Sequence, residues 1–169
     1  MKADVYNYSN GTAFTVDFPM SEEKIAEIMK KGEVMVDDCP YVSLSGYSVG
    51  MTLTSFNNFV KLLKENNVSD EELKIYNAGG WTIDEIAEKI ENGGFSIIDF
   101  YDETASWSSS DFNSEDDRGR VLYQYGFRFP ADVPEELKDY MDYAMLWRDE
   151  EINSGIRAVM CNDSSYLVW

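Results

Sequence analysis

The residues of this sequence that could do chemistry are mainly carboxylates. The chain has 32 aspartates and glutamates against 14 lysines and arginines, and it has no histidine. Histidine supplies the general base in Ser-His-Asp and Cys-His nucleophile systems, so the sequence excludes those templates. Gly79–Gly80 and Gly93–Gly94 lack the spaced third glycine and the Lys-Ser/Thr of a phosphate-binding loop. We interpret both glycine pairs as helix stops.

Because the chain has many paired carboxylates, one enzyme class stays as an alternative: hydrolases that use two carboxylic acids for catalysis. Their chemistry requires one acid isolated in an apolar pocket, whereas most acids of this chain fall on the polar faces of predicted helices. Asp111, Asn113 and Glu115 imitate the first ligands of a calcium loop. The sixth position, however, is Asp116 instead of glycine, and the twelfth is Leu122 instead of a carboxylate. We expect no enzyme activity, no metal and no cofactor.

The two cysteines and the hydropathy pattern bear on the compartment. Cys39 and Cys161 lie far apart and outside any metal-ligand spacing, which indicates free thiols in a reducing environment, with a single bridge between them as the alternative. The opening residues have no apolar core of a signal peptide, and no run reaches the ~18 apolar residues of a membrane helix. We expect a cytoplasmic protein that binds no membrane.

The charge is strongly negative along the whole chain. Residues 1–50 carry 8 acids and 4 bases, residues 51–90 carry 7 and 4, and residues 91–169 carry 17 and 6, for a net charge of −18. A surface of this kind cannot bind nucleic acid by counterion release, which needs lysine and arginine at the phosphates. The expected partner is therefore basic. Adaptation to high salt and plain colloidal stability are the alternatives, since self-repulsion destabilises the compact state.

The apolar periodicity of the first half predicts a hairpin followed by helices. Alternation over residues 3–18, around Asn10–Gly11, is typical of a β-hairpin. Ser21 is expected to begin a helix that ends by Gly32, and a strand should follow. The helix should bury three side chains, those of Ile25, Ile28 and Met29.

Residues 53–92 show helical spacing and predict three short helices. Ser69 with Glu72 and Thr82 with Glu85 match the capping box, in which each side chain bonds the other residue's backbone N–H. These helices carry acids in their first turns, where a negative charge complements the helix dipole.

The last third of the chain returns to strands around two further helices. Residues 95–101 predict a strand, a polar loop covers 104–113, and Ser114 is expected to cap a helix that runs to about Tyr125 and stops at Gly126. A second helix should open at Asp132 and Pro134. Leu137, Tyr140, Met141 and Ala144 are predicted to share one stripe of this helix. Residues 156–160 and 166–169 predict a closing hairpin around Asn162–Asp163.

These elements predict an α+β fold, elongated, in three small lobes. The boundaries are an N-terminal α+β domain over residues 1–52, a central helical domain over 53–93 and a C-terminal α+β domain over 94–169. The acids of all three lobes are the candidate partner-binding groups. They are Glu22, Glu23, Glu27, Glu33, Asp37, Asp38, Asp70, Glu71, Glu72, Asp84, Glu85, Glu88, Glu91, Asp99, Asp102, Glu103, Asp111, Glu115, Asp116 and Asp117.

Near the C-terminus, the run from Val133 to Tyr143, followed by Arg148-Asp149 and Ser154-Gly155, resembles the signature of the ArdA antirestriction family. In that family a proline and a leucine precede a Tyr-Ile-Asp-Tyr block, then Gly-Arg-Asp and a later glycine. The stretch 119–126 is similar to the family's helix that ends in a glycine before that proline. Trp147 departs from the pattern, which usually has glycine there, and the polar stretch 104–113 is interpreted as an insertion.

The resemblance implies a function and a set of partners. ArdA proteins are elongated DNA mimics that block the DNA channel of Type I restriction–modification enzymes, form dimers through their C-terminal part, and are carried on phage, plasmids or conjugative elements. The motif residues Tyr140, Asp142, Tyr143, Arg148 and Asp149 are then expected to be structural or to form the dimer. The alternative is an acidic inhibitor of another DNA-binding protein, such as a CRISPR effector, nucleoid protein or repressor.

Overall fold

The computed structural model of this protein describes residues 1–42, 44, 50–100, 111–125 and 133–169, except for the side chains of Asp111 and Glu135. The chain folds into two compact units, Met1–Phe95 and Ser96–Trp169. Both units combine helices with antiparallel strands, so the predicted α+β class, with a sheet at each end and helices between, is confirmed. Among the described residues, no helix combines the length and apolarity needed to span a membrane.

The first unit begins with a four-stranded antiparallel sheet in the order β2-β1-β3-β4. Its strands are β1 (Lys2–Asn7), β2 (Thr12–Asp17), β3 (Val34–Asp38) and β4 (Met51–Thr52). The predicted hairpin is present, with a four-residue connection in which Gly11 takes the positive φ of +72°. Alternate residues of β1 enter the core because successive side chains of a strand point to opposite faces.

The helices of the first unit are α1 (Glu22–Met29), α2 (Leu53–Glu65), α3 (Asp70–Ala78) and α4 (Ile83–Glu91). Ser21, Thr52, Ser69 and Thr82 cap their N-termini through side-chain oxygens, which accept backbone N–H groups that have no partner within the helix. The three helices predicted for residues 53–92 are therefore confirmed.

Helix α2 packs on the sheet and is held to the segment before α1. The rings of Phe18 and Phe56 meet edge to face with centroids 4.8 Å apart. The buried Asn57 amide accepts the Met20 N–H at 2.6 Å and donates to the Met20 carbonyl at 3.1 Å. Because a buried backbone group without a partner costs free energy, this pair of hydrogen bonds orients α2 against the chain entering α1.

In its described residues, the second unit contains a three-stranded antiparallel sheet in the order β5-β7-β6 and three helices. The strands are β5 (Ile97–Asp99), β6 (Arg157–Cys161) and β7 (Ser164–Val168). The helices are α5 (Glu115–Gln124), α6 (Glu135–Lys138) and α7 (Tyr143–Ser154), and a 3-10 turn covers Asp111–Asn113. The closing hairpin turns at Asn162 and Asp163, both with positive φ, as predicted.

The core of the second unit centres on Trp147 of α7, which is fully buried. The guanidinium of Arg118 on α5 lies 5.1 Å from the Trp147 ring and 5.2 Å from the Phe112 ring, and its Nε donates to the Phe112 carbonyl at 2.6 Å. Burial lowers the pKa of Arg118. Gly119 lets α5 approach the backbone of Tyr143, whose carbonyl oxygen a Cβ at this position would overlap.

Two sequence predictions about helices, one of a buried face and one of a helix's extent, are wrong. Met29 is 54% exposed, because α1 ends at this residue and buries only Ile25 and Ile28. The helix predicted from Pro134 through Ala144 is two helices, and its expected stripe residues Leu137 and Tyr140 are exposed. Asp142 breaks the run because its carboxylate accepts the Met145 N–H at 2.8 Å and starts a new helix.

Other predictions stay as they were. The four-stranded sheet and the three central helices lie in the same compact unit, Met1–Phe95. The domain boundaries predicted after residues 52 and 93 both stay predictions. Asp132, Gly126 and most of the loop 104–113 lie outside the described residues.

Candidate partner-binding surface

The candidate carboxylates are placed by the helix starts of the fold. Four serine and threonine caps begin α1, α3, α4 and α5, and each is followed at once by acids in the first turn. This arrangement is favourable by itself, since the first turn carries unpaired N–H groups and the positive end of the helix dipole. Local helix chemistry therefore accounts for the position of many acids without reference to a partner.

Most of the candidate carboxylates of the first unit face solvent. Glu72 is half-buried, and the others are exposed: Glu22, Glu23, Glu27, Glu33, Asp37, Asp38, Asp70, Glu71, Asp84, Glu85, Glu88 and Glu91. In the second unit, Asp99, Glu115, Asp116 and Asp117 are half-buried. The side chain of Asp111 and both Asp102 and Glu103 lie outside the described part of the chain.

Several candidates already have a cationic neighbour. Glu27 pairs with Lys24 at 3.1 Å, Asp116 pairs with Arg120 at 2.7 Å, and Glu115 pairs with Arg148 at 2.6 Å. The hydrogen bond from Lys24 lowers the pKa of Glu27. The hydrogen bonds to Asp116 and Glu115 raise the pKa values of Arg120 and Arg148. These three acids are weaker candidates for contacts with a basic partner.

Two further candidates serve as capping residues. The Glu72 carboxylate accepts the Ser69 N–H at 2.7 Å, and the Glu85 carboxylate accepts the Thr82 N–H at 2.7 Å. Both capping boxes predicted from the sequence are present. At the start of α1, the Glu23 pKa is lowered by its own backbone N–H and by Ser21. A lowered pKa keeps Glu23 and Glu27 ionised at neutral pH, and this contribution to stability is lost as the pH falls through the folded pKa.

The motif residues near the C-terminus divide into structural and exposed positions. Tyr143 is buried, Asp142 caps α7, and Arg148 links α7 to α5 through Glu115. Tyr140 is 85% exposed, and Asp149 is exposed as well. The stacked contact of Arg120 on the Tyr143 ring, at 4.4 Å, adds to the packing of α5 on α7.

Helix α7 has an exposed apolar stripe that was not among the features predicted from the sequence. Met145 and Ile152 are 56% and 80% exposed, and Arg148 and Asp149 lie between them on the solvent side of the helix. Residues seven apart fall on one helix face, so the spacing of Met145 and Ile152 was the available signal. This spacing does not stand out in the sequence because the buried face of α7, with Leu146 and Trp147, is apolar as well.

The described residues hold no group of three or more ligating side chains placed for a metal ion. Cys39 is buried, Cys161 is half-buried, and both are free thiols. The chain matches no protein-family model and no curated protein.

Proposed function

We propose that this protein is a DNA mimic that occupies the DNA-binding channel of a Type I restriction–modification enzyme. The observation that carries the proposal is the net charge of −18, which is distributed over the whole chain, together with the exposure of most candidate carboxylates in the first unit. The resemblance of the run from Val133 to Asp149 to the ArdA family is the reason for proposing a Type I restriction–modification enzyme as the target. A cytoplasmic site of action in a bacterial host, and carriage on phage or another mobile element, follow from that target.

The size of the charge suits this role. Duplex DNA carries one charge per ~1.7 Å of axis, so 18 charges correspond to roughly 30 Å of duplex, or about nine base pairs. A dimer would present twice that length. The field of such a surface also accelerates encounter with a basic groove.

The test of this function is direct competition. A purified Type I enzyme is mixed with the protein at stoichiometric excess, and retention of a labelled duplex is measured by gel shift together with DNA cleavage. Both should be abolished. Poly-glutamate at equal total charge is the control, because a patterned mimic should inhibit at far lower concentration than an unpatterned polyanion.

Two results would count against the proposal. Unchanged cleavage in excess protein would exclude the Type I target. A host pull-down that retains a different basic DNA-binding protein and no Type I subunit would favour the alternative, an inhibitor of a CRISPR effector, nucleoid protein or repressor. The insertion at 104–113 motivates that alternative, since an added loop alters partner choice.

The dimer belongs to the same proposal, and the exposed stripe of α7 supports it. Two copies of α7 placed antiparallel, with a two-fold axis between Arg148 and Asp149, set Met145 of one copy opposite Ile152 of the other. The same axis sets Arg148 opposite Asp149. This stripe is therefore self-complementary in both apolar contact and charge, as a two-fold interface requires.

Replacing both Met145 and Ile152 by glutamine is expected to convert the dimer to monomer. Burial of each apolar side chain contributes about 1.5–3 kcal/mol, and the symmetric interface loses four, so the dimer dissociation constant should rise by about four orders of magnitude or more. Light scattering behind size-exclusion chromatography measures the mass. Met29→Gln with Met160→Gln is the matched control, because both methionines are exposed outside α7. A wild-type protein that is monomeric at all concentrations would contradict this dimer.

A further inference from the structure

A small cavity in the first unit supports an inference that is independent of the proposed DNA mimicry. It has a volume of about 280 Å³ and lies between the end of α2, helix α3 and the segment that follows α4. Its walls include Asn66, Glu72, Tyr76, Ile90 and Phe95. This volume lies below the ~300–1,000 Å³ of pockets for drug-sized ligands, so the cavity fits a group of side-chain size.

Tyr76 is the unusual member of this wall. Its ring stacks on Phe95 with centroids 3.9 Å apart, and the residue is 3% exposed. Its hydroxyl has no hydrogen-bond partner among the described residues. Every fully buried side-chain oxygen or nitrogen of those residues does have a hydrogen-bond partner. The Tyr76 hydroxyl is therefore not fully buried, and it is accessible from the cavity that Tyr76 lines.

The state of the Tyr76 hydroxyl is set by its surroundings. Burial, together with the nearby Glu72 carboxylate, raises the pKa of Tyr76 to about 12. The group is thus a neutral phenol across the physiological range, and it can both donate and accept a hydrogen bond. Because the hydroxyl is accessible from the cavity, a ligand that enters the cavity can replace water as its hydrogen-bond partner.

The other polar groups of the cavity are acceptors. One Glu72 carboxylate oxygen, Oε2, accepts from the Ser69 N–H and hydroxyl, each at 2.7 Å, which leaves Oε1 available. The Asn66 amide nitrogen donates to the Leu62 carbonyl at 2.9 Å, which leaves the amide oxygen available. Glu72 and Asn66 thus offer acceptors and one negative charge in the lining of a cavity whose apolar residues are Val68, Ile90 and Phe95.

We propose that this cavity binds a guanidinium or ammonium group on a short apolar stem, with Glu72 as its counter-ion and Tyr76 as its hydrogen-bond partner. The apolar walls of Ile90 and Phe95 take the stem, and the carboxylate and amide oxygens take the N–H donors. An anion is disfavoured by Glu72 and by the net charge of the chain. The ligand is either a free small cation or an arginine or lysine side chain of a partner, and the site does not depend on the proposed DNA mimicry.

The experiment titrates ¹⁵N-labelled protein with n-butylguanidinium in 150 mM salt and follows backbone amide shifts by NMR. Gly93 and Gly94, which line the cavity, should shift in a saturable way. Glu72→Gln should weaken binding about tenfold or more, since a charge-assisted hydrogen bond is lost, while glutamine preserves the capping box. Glu85→Gln is the matched control: it makes the same change in the capping box of α4, whose glutamate does not line this cavity.

Tyr76→Phe is the second variant, since it keeps the stacked ring and removes only the hydroxyl. It should weaken binding several-fold, and n-butanol, which lacks the charge, should not compete. Equal affinity in wild type, Glu72→Gln and Glu85→Gln, or shifts spread over the whole acidic surface, would overturn the proposal. An arginine-containing peptide that binds at least tenfold tighter than n-butylguanidinium identifies a partner side chain as the ligand, and equal affinity identifies a free cation.

Discussion

Replacement of five exposed acids of the first unit by their amides is expected to weaken inhibition of the Type I enzyme about a hundredfold. The set avoids capping residues and the ion-paired acids, so the fold should be unaffected. It comprises Glu33, Asp37, Asp38, Glu88 and Glu91. An exposed ion pair contributes roughly 0.2–1 kcal/mol, so five contribute about 3 kcal/mol together, and each single replacement should change inhibition only a few-fold.

The measurement is the concentration that halves duplex binding, at two salt concentrations. Inhibition by the wild type should weaken more steeply with salt than inhibition by the variant, because the variant makes fewer charge contacts. The matched control removes five exposed acids that are not predicted contacts. These are Asp17, Glu65, Glu136, Asp139 and Asp163. Equal loss in the two variants would show that total charge, not its pattern, is responsible, and that result would falsify the mimicry.

Substitution of Gly119 by alanine is expected to destabilise the second unit strongly. In a helix interior, alanine is ordinarily more favourable than glycine by about 1 kcal/mol. At this position a Cβ overlaps the carbonyl oxygen of Tyr143, which is backbone and cannot rotate away. Helices α5 and α7 must therefore separate, which disturbs the packing around Trp147, and we expect a net loss of about 3 kcal/mol in the free energy of unfolding.

Urea denaturation followed by tryptophan fluorescence measures this loss. Gly155→Ala is the control, since a Cβ there meets no atom within 4 Å and the cost is only that of a left-handed backbone, about 1–2 kcal/mol. A Gly119→Ala variant that is as stable as the wild type would contradict the close packing of α5 on Tyr143. The contrast between the two glycines separates steric overlap from backbone strain.

Local signals explain why so many elements were predictable. Ser69 with Glu72 and Thr82 with Glu85 specify helix starts within four residues, and the hairpins at Gly11 and at Asn162–Asp163 follow from residues that tolerate positive φ. Such signals need no knowledge of the rest of the chain, because their hydrogen bonds close within one turn.

The inward faces of α6 and α7 were not predictable in the same way. Leu137, Tyr140, Met141 and Ala144 have helical spacing, yet Asp142 caps a helix within that run. Two apolar faces compete on α7, and only packing against α5 decides that Trp147 is buried and Ile152 is exposed. Periodicity alone does not choose between them, since both faces satisfy it.

The amino-acid sequence by itself determined the charge of −18, the helix starts, the strand turns and the absence of histidine. Those properties depend on composition and on contacts between residues close in the chain. Only the tertiary structure decided which carboxylates stay exposed, that Glu115 is held by Arg148, and that Tyr76 faces a cavity beside Glu72. These outcomes depend on which elements pack together, because exposure and pairing are set by neighbours that are distant in sequence.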